Sequence, residues 1–214
     1  MSVKVVDLTA ETLDLLPSPC RSCTYWELGS PREAVPTPGR AAAKAAWVGS
    51  AELAAGPVGK VLVDVGRVAG YALTAPPPQL RRSQLFVHHP SEDALLLATV
   101  WIAQEDRSAG AGKQLVRAVV ADAHRRHFRA VEAYGLRTQD DATPEWACVV
   151  GEGFLTRMGF QVWRDHPHWP LLRLDLRQTV TDTMELALKQ LRERLQPRRN
   201  PAPAQPSAFT KRRA

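Results

Sequence analysis

Apolar residues in the middle of the chain cluster in short runs, a pattern typical of buried strands. The first two runs, Val58 to Val65 and Val68 to Thr74, lie on either side of Gly66 and predict a β-hairpin. The third run, Ala94 to Ala103, is interrupted only by Thr99 and predicts a strand buried on both faces.

Beyond Gly112 the pattern changes from continuous runs to helical spacing. Apolar residues recur at 115, 116, 119, 120 and 123, opposed by polar residues, and His124-Arg-Arg-His127 ends this predicted helix. A strand over 129–135, a helix over 146–158 ending at Gly159, and strands over 160–163 and 171–176 follow. The order strand, strand, strand, helix, strand, helix, strand, strand predicts an α/β (α+β) domain.

The two ends of the chain differ from this middle part in their pattern of apolar residues. Residues 41–55 are rich in alanine and predict a helix. Residues 178–196 carry leucines at helical spacing, which predicts an amphipathic helix that packs on the parent domain or, alternatively, forms a homodimer seam. The last segment, 197–214, contains four prolines and few apolar residues, and its composition predicts disorder.

The net charge of +6 belongs mainly to that last segment. Residues 197–214 hold five bases and no acid, whereas the other 196 residues hold 23 bases against 22 acids. A nearly neutral body argues against nucleic-acid binding as the main function. No apolar stretch reaches the length of a membrane span, and acidic residues interrupt the N-terminus where a signal peptide would be apolar, so we expect a cytoplasmic protein without a membrane anchor.

The segment Arg107-Ser-Ala-Gly110-Ala-Gly112-Lys113 joins the third strand to the helix that follows it. A helix start has free backbone N–H groups and a favourable dipole for an anion, and glycine allows a phosphate to approach closely. The segment lacks the first glycine and the Ser or Thr of a Walker A loop, and the third glycine of a dinucleotide fingerprint.

The spacing Arg107-x-x-Gly110-x-Gly112 resembles the Q/R-x-x-G-x-G/A signature of the GNAT superfamily, the acetyl-CoA-dependent N-acetyltransferases. The order of the predicted elements resembles the GNAT core as well. The resemblance covers about residues 58–176 and implies a mixed, mostly antiparallel central sheet flanked by helices. It makes 1–177 one domain, with the acetyl-CoA-binding core at 58–177 and a strand and helices on the acceptor side at 1–57.

The same resemblance implies an activity and a set of cofactor contacts. The activity is acetyl transfer from acetyl-CoA to a primary amine of a small molecule or peptide by direct attack. Backbone groups of the central strand should bind the pantetheine arm, and those of the following turn should bind the pyrophosphate: Trp101, Ile102, Ala103, Arg107, Ser108, Ala109, Gly110, Ala111, Gly112 and Lys113. A non-catalytic acyl-CoA-binding module with a protein partner is the alternative.

The catalytic residues are less clearly marked than the cofactor contacts. Many family members place a tyrosine four residues before the glycine that ends the late helix, but that position here is Leu155. Glu132 interrupts an apolar strand, where a buried carboxylate needs either a function as general base or an ion-pair partner. Tyr134 shares its strand face and is a candidate acid. Glu105 is a second candidate base, with a solvated loop charge as the alternative.

Cys20-x-x-Cys23 is the pattern in the chain that most invites a metal or redox interpretation. A structural zinc site needs further Cys or His ligands at close spacing. The sequence offers one more cysteine, Cys148, and its histidine pairs are too tightly spaced for such a site. We therefore expect packing thiols and no metal.

Overall fold

The computed structural model describes residues 3–18, 20–29, 37–107, 109–137 and 148–176. The chain divides into two compact units, Met1–Thr179 and Val180–Ala214, and all the described residues belong to the first. The helix predicted at 178–196 and the tail at 197–214 lie outside the described residues, as do Ser108 and residues 146–147.

The described part contains eight strands and four α-helices. In chain order they are β1 (Val3–Asp7), α1 (Tyr25–Leu28), α2 (Thr37–Ala55), β2 (Gly59–Asp64), β3 (Arg67–Ala75), β4 (Ala94–Ile102), α3 (Ala111–Arg125), β5 (Ala130–Leu136), β6 (Val150–Gly151), α4 (Glu152–Arg157), β7 (Gln161–Arg164) and β8 (Leu171–Asp175). Short 3₁₀ turns precede β4 and α3, at Arg81–Leu85 and Gln104–Asp106. No helix among these residues is long and apolar enough to cross a bilayer.

The strands form one mixed sheet in the order β1-β2-β3-β4-β5-β8-β7. Neighbours along this path are antiparallel except β4 and β5, which run parallel, and the short β6 also pairs parallel with β5. The β2–β3 turn consists of Val65 and Gly66, both with positive φ, which suits a two-residue hairpin. A mixed, mostly antiparallel sheet flanked by helices was predicted and is confirmed.

Side chains from the two faces of the sheet form two separate apolar clusters. One face packs against α1 and α2 through residues such as Trp26, Val48 and Tyr134. The other packs against α3 and α4 through residues such as Leu115 and Leu155. Helices therefore cover both faces of the sheet. The cluster that a side chain of β4 or β5 joins shows which face of the sheet it lies on.

A β-bulge in β4 changes which residues face each cluster. Leu73 lies opposite Thr99 and Thr74 lies opposite Leu97, so Ala98 is an extra residue in β4. Before the bulge Leu96 faces the α1–α2 side, and after it Trp101 does so, which reverses the even-odd alternation. The bulge thereby places the Trp101 ring beside Tyr71, with ring centroids 6.2 Å apart.

A buried charge network fastens α3 to the edge of the sheet. Lys60 of β2 donates to Asp122 of α3 at 3.0 Å and also pairs with Asp7 of β1. Asp122 accepts from Arg126 at 3.0 Å as well. Burial alone raises the pKa of Asp122, but the hydrogen bonds from Lys60 and Arg126 outweigh it, and the net pKa is lowered.

Candidate functional site

The start of α3 presents free backbone donors to open space. Gly110 has φ +85°, and the first helical hydrogen bond runs from Gln114 N–H to Gly110 C=O at 3.1 Å. The N–H groups of Ala111, Gly112 and Lys113 thus precede the first intrahelical bond. A Cβ added at Gly110 would meet nothing within 4 Å, so an anion could reach these donors.

The central strands separate next to this helix start. Pairing between β4 and β5 ends at Leu96 opposite Glu132, although β4 continues to Ile102 and β5 to Leu136. Along the described chain no strand pairs with the β5-facing edge of β4 beyond that point. Strand β6 lies in the same gap but pairs with β5, at Gly135 and Leu136. The gap forms a wedge in the sheet, open to a strand-like ligand.

Strand alternation decides which backbone groups of β4 face the wedge. The N–H of Ala103 donates to Ala69 C=O of β3 at 2.9 Å, so this amide is already used. By two-residue alternation the polar groups of Trp101 also point to β3, and those of Ile102 point to the wedge. Of the three residues predicted for the pantetheine arm, the strand geometry favours Ile102. The same alternation also turns the backbone groups of Val100 to the wedge, a residue that was not predicted.

An arginine clamp holds the turn between β4 and α3. Arg67 of β3 makes two hydrogen bonds to Asp106, at 2.5 and 2.8 Å, and lies 3.3 Å from Glu105. The Arg67 hydrogen bonds hold the pKa of Asp106 below its usual range. Arg107 Nε reaches back to Ile102 C=O at 3.4 Å. The clamp fixes the approach of the chain to Gly110.

A cavity of about 210 Å³ opens on the α1–α2 side of the sheet. It is lined by Arg82, Leu85, Phe86, Val87, His88, His166 and Trp169. Phe86 stacks on Tyr134 of β5, with ring centroids 3.9 Å apart, and so anchors the cavity wall on the sheet. The lining contains one guanidinium and two imidazoles and no carboxylate.

The two histidines of the cavity differ in which ring nitrogen is used. His88 Nε2 lies 2.8 Å from Asp165 C=O, and because a carbonyl only accepts, Nε2 must donate. In the neutral ring, Nδ1 then carries a lone pair, and Nδ1 has no hydrogen-bond partner within the part of the chain that the structure describes. His166 Nδ1 accepts from His168 N–H and Trp169 N–H, at 3.2 and 3.1 Å. His88 therefore offers a base to the cavity, and His166 offers a donor.

The similarity of this chain to known proteins lies in its structure. No protein-family model and no curated sequence matches the chain. Among solved structures it is similar to PaiA N-acetyltransferase from Thermoplasma acidophilum in complex with coenzyme A, at 13% identity and TM-score 0.54, covering 82% of this chain and 99% of that one. It is also similar to an N-acetyltransferase from Staphylococcus aureus Mu50, at 14% identity and TM-score 0.52, with the same two coverages. A Desulfovibrio desulfuricans protein assigned to the acetyltransferases of the GNAT family matches at 18% identity and TM-score 0.51, again over 82% and 99%.

The chain has the GNAT fold. The wedge between β4 and β5, the bulge in β4 and the glycine start of α3 are the parts of that fold on which the predicted cofactor contacts lie. Identities of 13–18% show the architecture alone, because one fold can support many functions.

Glu132 lies within the GNAT core but is fully enclosed by hydrogen-bond donors. It is 0% exposed and accepts from Ser91 N–H at 2.8 Å, from Ser91 Oγ at 2.7 Å and from Arg173 at 2.7 Å. Arg173 in turn binds Asp93 through two hydrogen bonds of 3.0 Å. This geometry favours the ion-pair interpretation of Glu132 over the general base.

Tyr134 and Glu105 also have structural partners. The Tyr134 hydroxyl donates to the carbonyls of Ser83 and His88, and burial raises the pKa of its phenol. The hydroxyl proton is therefore used in hydrogen bonds to the segment that carries His88. The Glu105 side chain is 64% exposed and belongs to the Arg67 clamp, 3.3 Å from the guanidinium.

The late helix differs from its prediction in where it begins. It starts at Glu152, after Val150 and Gly151 have paired with β5, and not at Trp146. Leu155 is 0% exposed and packs in the α3–α4 cluster, so no tyrosine stands at the position the family uses. Arg137, the residue after β5, holds the helix by two hydrogen bonds of 2.7 Å to Glu152.

Cys20, Cys23 and Cys148 are not joined by a disulfide. Among the described residues, no group of three or more His, Cys, Asp or Glu side chains is arranged to hold a metal ion.

Proposed function

We propose that the protein is an acetyl-CoA-dependent N-acetyltransferase that acts on a primary amine of a small molecule or peptide by direct attack. The observation that carries the proposal is the conjunction of two unfilled features: the open helix start at Gly110 and the unpaired edge of β4. Neither feature alone is specific, but together they match a ligand with an anionic end and an amide-bearing arm.

The residues present fit acetyl-CoA. The N–H groups of Ala111, Gly112 and Lys113 would hold the pyrophosphate, and the backbone of Val100 and Ile102 would pair with the pantetheine arm. The Ala109 N–H, also predicted for this role, already donates to Asp106 C=O at 3.3 Å. Arg107, exposed beside the turn, would add charge near the phosphates. When bound there, acetyl-CoA supplies the activated acetyl thioester.

His88 would prepare the acceptor amine. An amine that is protonated in water must lose a proton before it can attack, and His88 Nδ1 offers the lone pair for that transfer. The hydrogen bond from Nε2 to Asp165 C=O fixes the tautomer, and Tyr134 holds the His88 carbonyl. In the sequence, His88 lies in the segment before the central strand, and no pattern there marks it as catalytic.

The cavity lining favours an acceptor that carries a carboxylate as well as an amine. Arg82 lies over the Tyr25 ring, 4.4 Å from its centroid, and its Nε is buried with no hydrogen-bond partner among the described residues. The positive charge of the Arg82 guanidinium in the cavity lining would attract a carboxylate, whereas it would repel a second ammonium on the acceptor. Amino acids and acidic peptide ends fit this description better than polyamines do.

Acetyl-CoA binding by calorimetry and thiol release against an amine panel test the function. The panel contains matched amines with and without a carboxylate. We expect turnover, with the carboxylated member of each pair favoured by about tenfold, and Arg82→Gln should remove that preference. Binding without turnover on any amine would favour the non-catalytic module, and no binding would overturn the proposal.

His89 provides a matched control for the base, because it is exposed and adjacent to His88. His88→Gln should lower kcat/KM by about 10²-fold or more while CoA binding stays unchanged. His89→Gln should match the parent protein. Equal effects of the two substitutions would remove His88 from the mechanism without touching the cofactor assignment.

A further inference from the structure

Two cysteines that are 125 residues apart in the chain meet in the fold. Cys23 Sγ and Cys148 Sγ lie 4.0 Å apart. Cys23 comes just before α1, on the predicted acceptor side, and Cys148 comes just before β6 at the wedge. Cys20 is nearer to Cys23 in the sequence, but its thiol instead forms a hydrogen bond with the Tyr71 hydroxyl. The partner of Cys23 is thus not the one that the Cys-x-x-Cys spacing suggests.

Buried side chains hold both cysteines by their backbone carbonyls. Lys44 Nζ donates to Cys23 C=O at 3.1 Å, and Lys44 is itself fixed by a buried ion pair with Glu27. Trp26 Nε1 donates to Cys148 C=O at 2.9 Å, and Trp26 is 2% exposed. These anchors place the two sulfur atoms in contact.

The environment makes the two thiols chemically unequal. The Cys148 thiol donates a hydrogen bond to Cys23, and this lowers the pKa of Cys23 despite the opposing effect of burial. Both residues are half-buried, so neither is fully enclosed by the protein. A thiolate that touches a second thiol is the arrangement found in peroxide-reactive sites.

We propose that Cys23 and Cys148 form a modification site that a hydroperoxide converts to a reversible disulfide. The Cys23 thiolate attacks one peroxide oxygen and the O–O bond breaks, so that Cys23 becomes a sulfenic acid. Hydroxide or an alkoxide leaves and takes up the proton that the Cys23 thiol had released, which gives water or an alcohol. Cys148 sulfur then attacks Cys23 sulfur, a water molecule leaves, and the S–S bond forms. The peroxide is reduced, and the two thiols together lose two electrons and two protons.

The disulfide would tie the segment before α1 to the segment before β6. The sulfur atoms must approach from 4.0 Å to about 2.05 Å, which requires a small movement of the segments that carry them. The site does not depend on the acetyltransferase proposal, because its chemistry involves neither acetyl-CoA nor an amine.

Peptide mapping after peroxide treatment of the folded protein tests the site. Trypsin cleaves after Arg21, so Cys20 falls in Val5–Arg21, Cys23 in Ser22–Arg32 and Cys148 in Thr138–Arg157. We expect a cross-link between the second and third peptides that disappears on reduction with dithiothreitol. In Cys148→Ser, Cys23 should accumulate as a sulfenic acid that dimedone captures.

Cys20→Ser is the matched control and should give the same cross-link as the parent. In denaturant the preference should shift to Cys20–Cys23, because the short loop closes at lower entropic cost than the 125-residue loop. A native Cys20–Cys23 link, a link between two chains, or no cross-link while Cys20 is oxidised would each overturn the proposal.

Discussion

Arg173 faces Glu132 directly across the β5–β8 ladder and donates to its carboxylate at 2.7 Å. Ser91 supplies two further donors from the loop before β4, and the carboxylate has no exposed surface. Arg173 is only 13% exposed and also holds Asp93, so one cation joins β8, β5 and the start of β4. The buried Glu132 carboxylate and its three donors stabilise this junction. Removing either Glu132 or Arg173 alone would leave a buried charge without its partner, which would lower the free energy of unfolding.

Replacing Glu132 by Gln should therefore affect stability more than turnover. Breaking a buried ion pair costs about 3 kcal/mol of unfolding free energy. Removing a general base would instead lower kcat by about 10²-fold or more at unchanged stability. Denaturant unfolding and steady-state kinetics on the same variant separate the two. A double-mutant cycle with Arg173→Gln should show losses that are less than additive, and full additivity would contradict the pairing.

Asp122→Asn should destabilise the protein in a pH-dependent way. The folded-state pKa of Asp122 lies below its ordinary value of 3.8, since the hydrogen bonds from Lys60 and Arg126 outweigh the effect of burial. Its contribution is therefore fully present above the unfolded-state pKa and is lost as pH falls through the lower folded-state pKa. We expect a difference of about 3 kcal/mol near pH 7 that shrinks below about pH 4.

Urea unfolding of the parent and Asp122→Asn between about pH 3 and pH 7 measures this difference. Asp14→Asn is the control, because the Asp14 side chain is 94% exposed and should change little at any pH. If the difference in unfolding free energy stayed constant or grew as the pH fell, the lowered pKa of Asp122 would be contradicted.

Gly112→Ala should strain the contact between α3 and α4. A Cβ at this position would lie 2.9 Å from the Phe154 ring, closer than packed atoms tolerate. We expect a loss of about 1–2 kcal/mol of unfolding free energy. Thermal or urea unfolding in a Phe154→Leu background should show a smaller penalty, because the shorter side chain leaves room. An equal penalty in both backgrounds would place the strain elsewhere.

Tyr134→Phe should loosen the loop that carries His88. The change removes the donor to the Ser83 and His88 carbonyls, which costs about 1–2 kcal/mol of stability. We expect kcat/KM to fall less than in His88→Gln, because Tyr134 positions the base and does not transfer the proton. A loss as large as that of His88→Gln, at unchanged stability, would instead make Tyr134 the acid that its sequence position suggested.

Local pattern was enough to predict the elements in which neighbouring residues decide the conformation. The β2–β3 hairpin follows from Gly66 between two apolar runs, and α3 from the glycine start and helical spacing that follow β4. Most predicted boundaries agree with the structure to within one or two residues. The late helix was less well predicted, because residues before Glu152 suit a helix locally but β6 pairs with β5.

The sequence by itself determined the order of the elements, the glycine at the start of α3 and the absence of a tyrosine at Leu155, since these depend on residues close together in the chain. Tertiary structure decided what the polar residues do. Glu132 meets Arg173 across 41 residues, Cys23 meets Cys148 across 125, and His88 gains a fixed tautomer from Asp165 across 77. Such pairs form because strand pairing and core packing bring distant segments together, and no spacing along the chain records which partner a buried polar group will find.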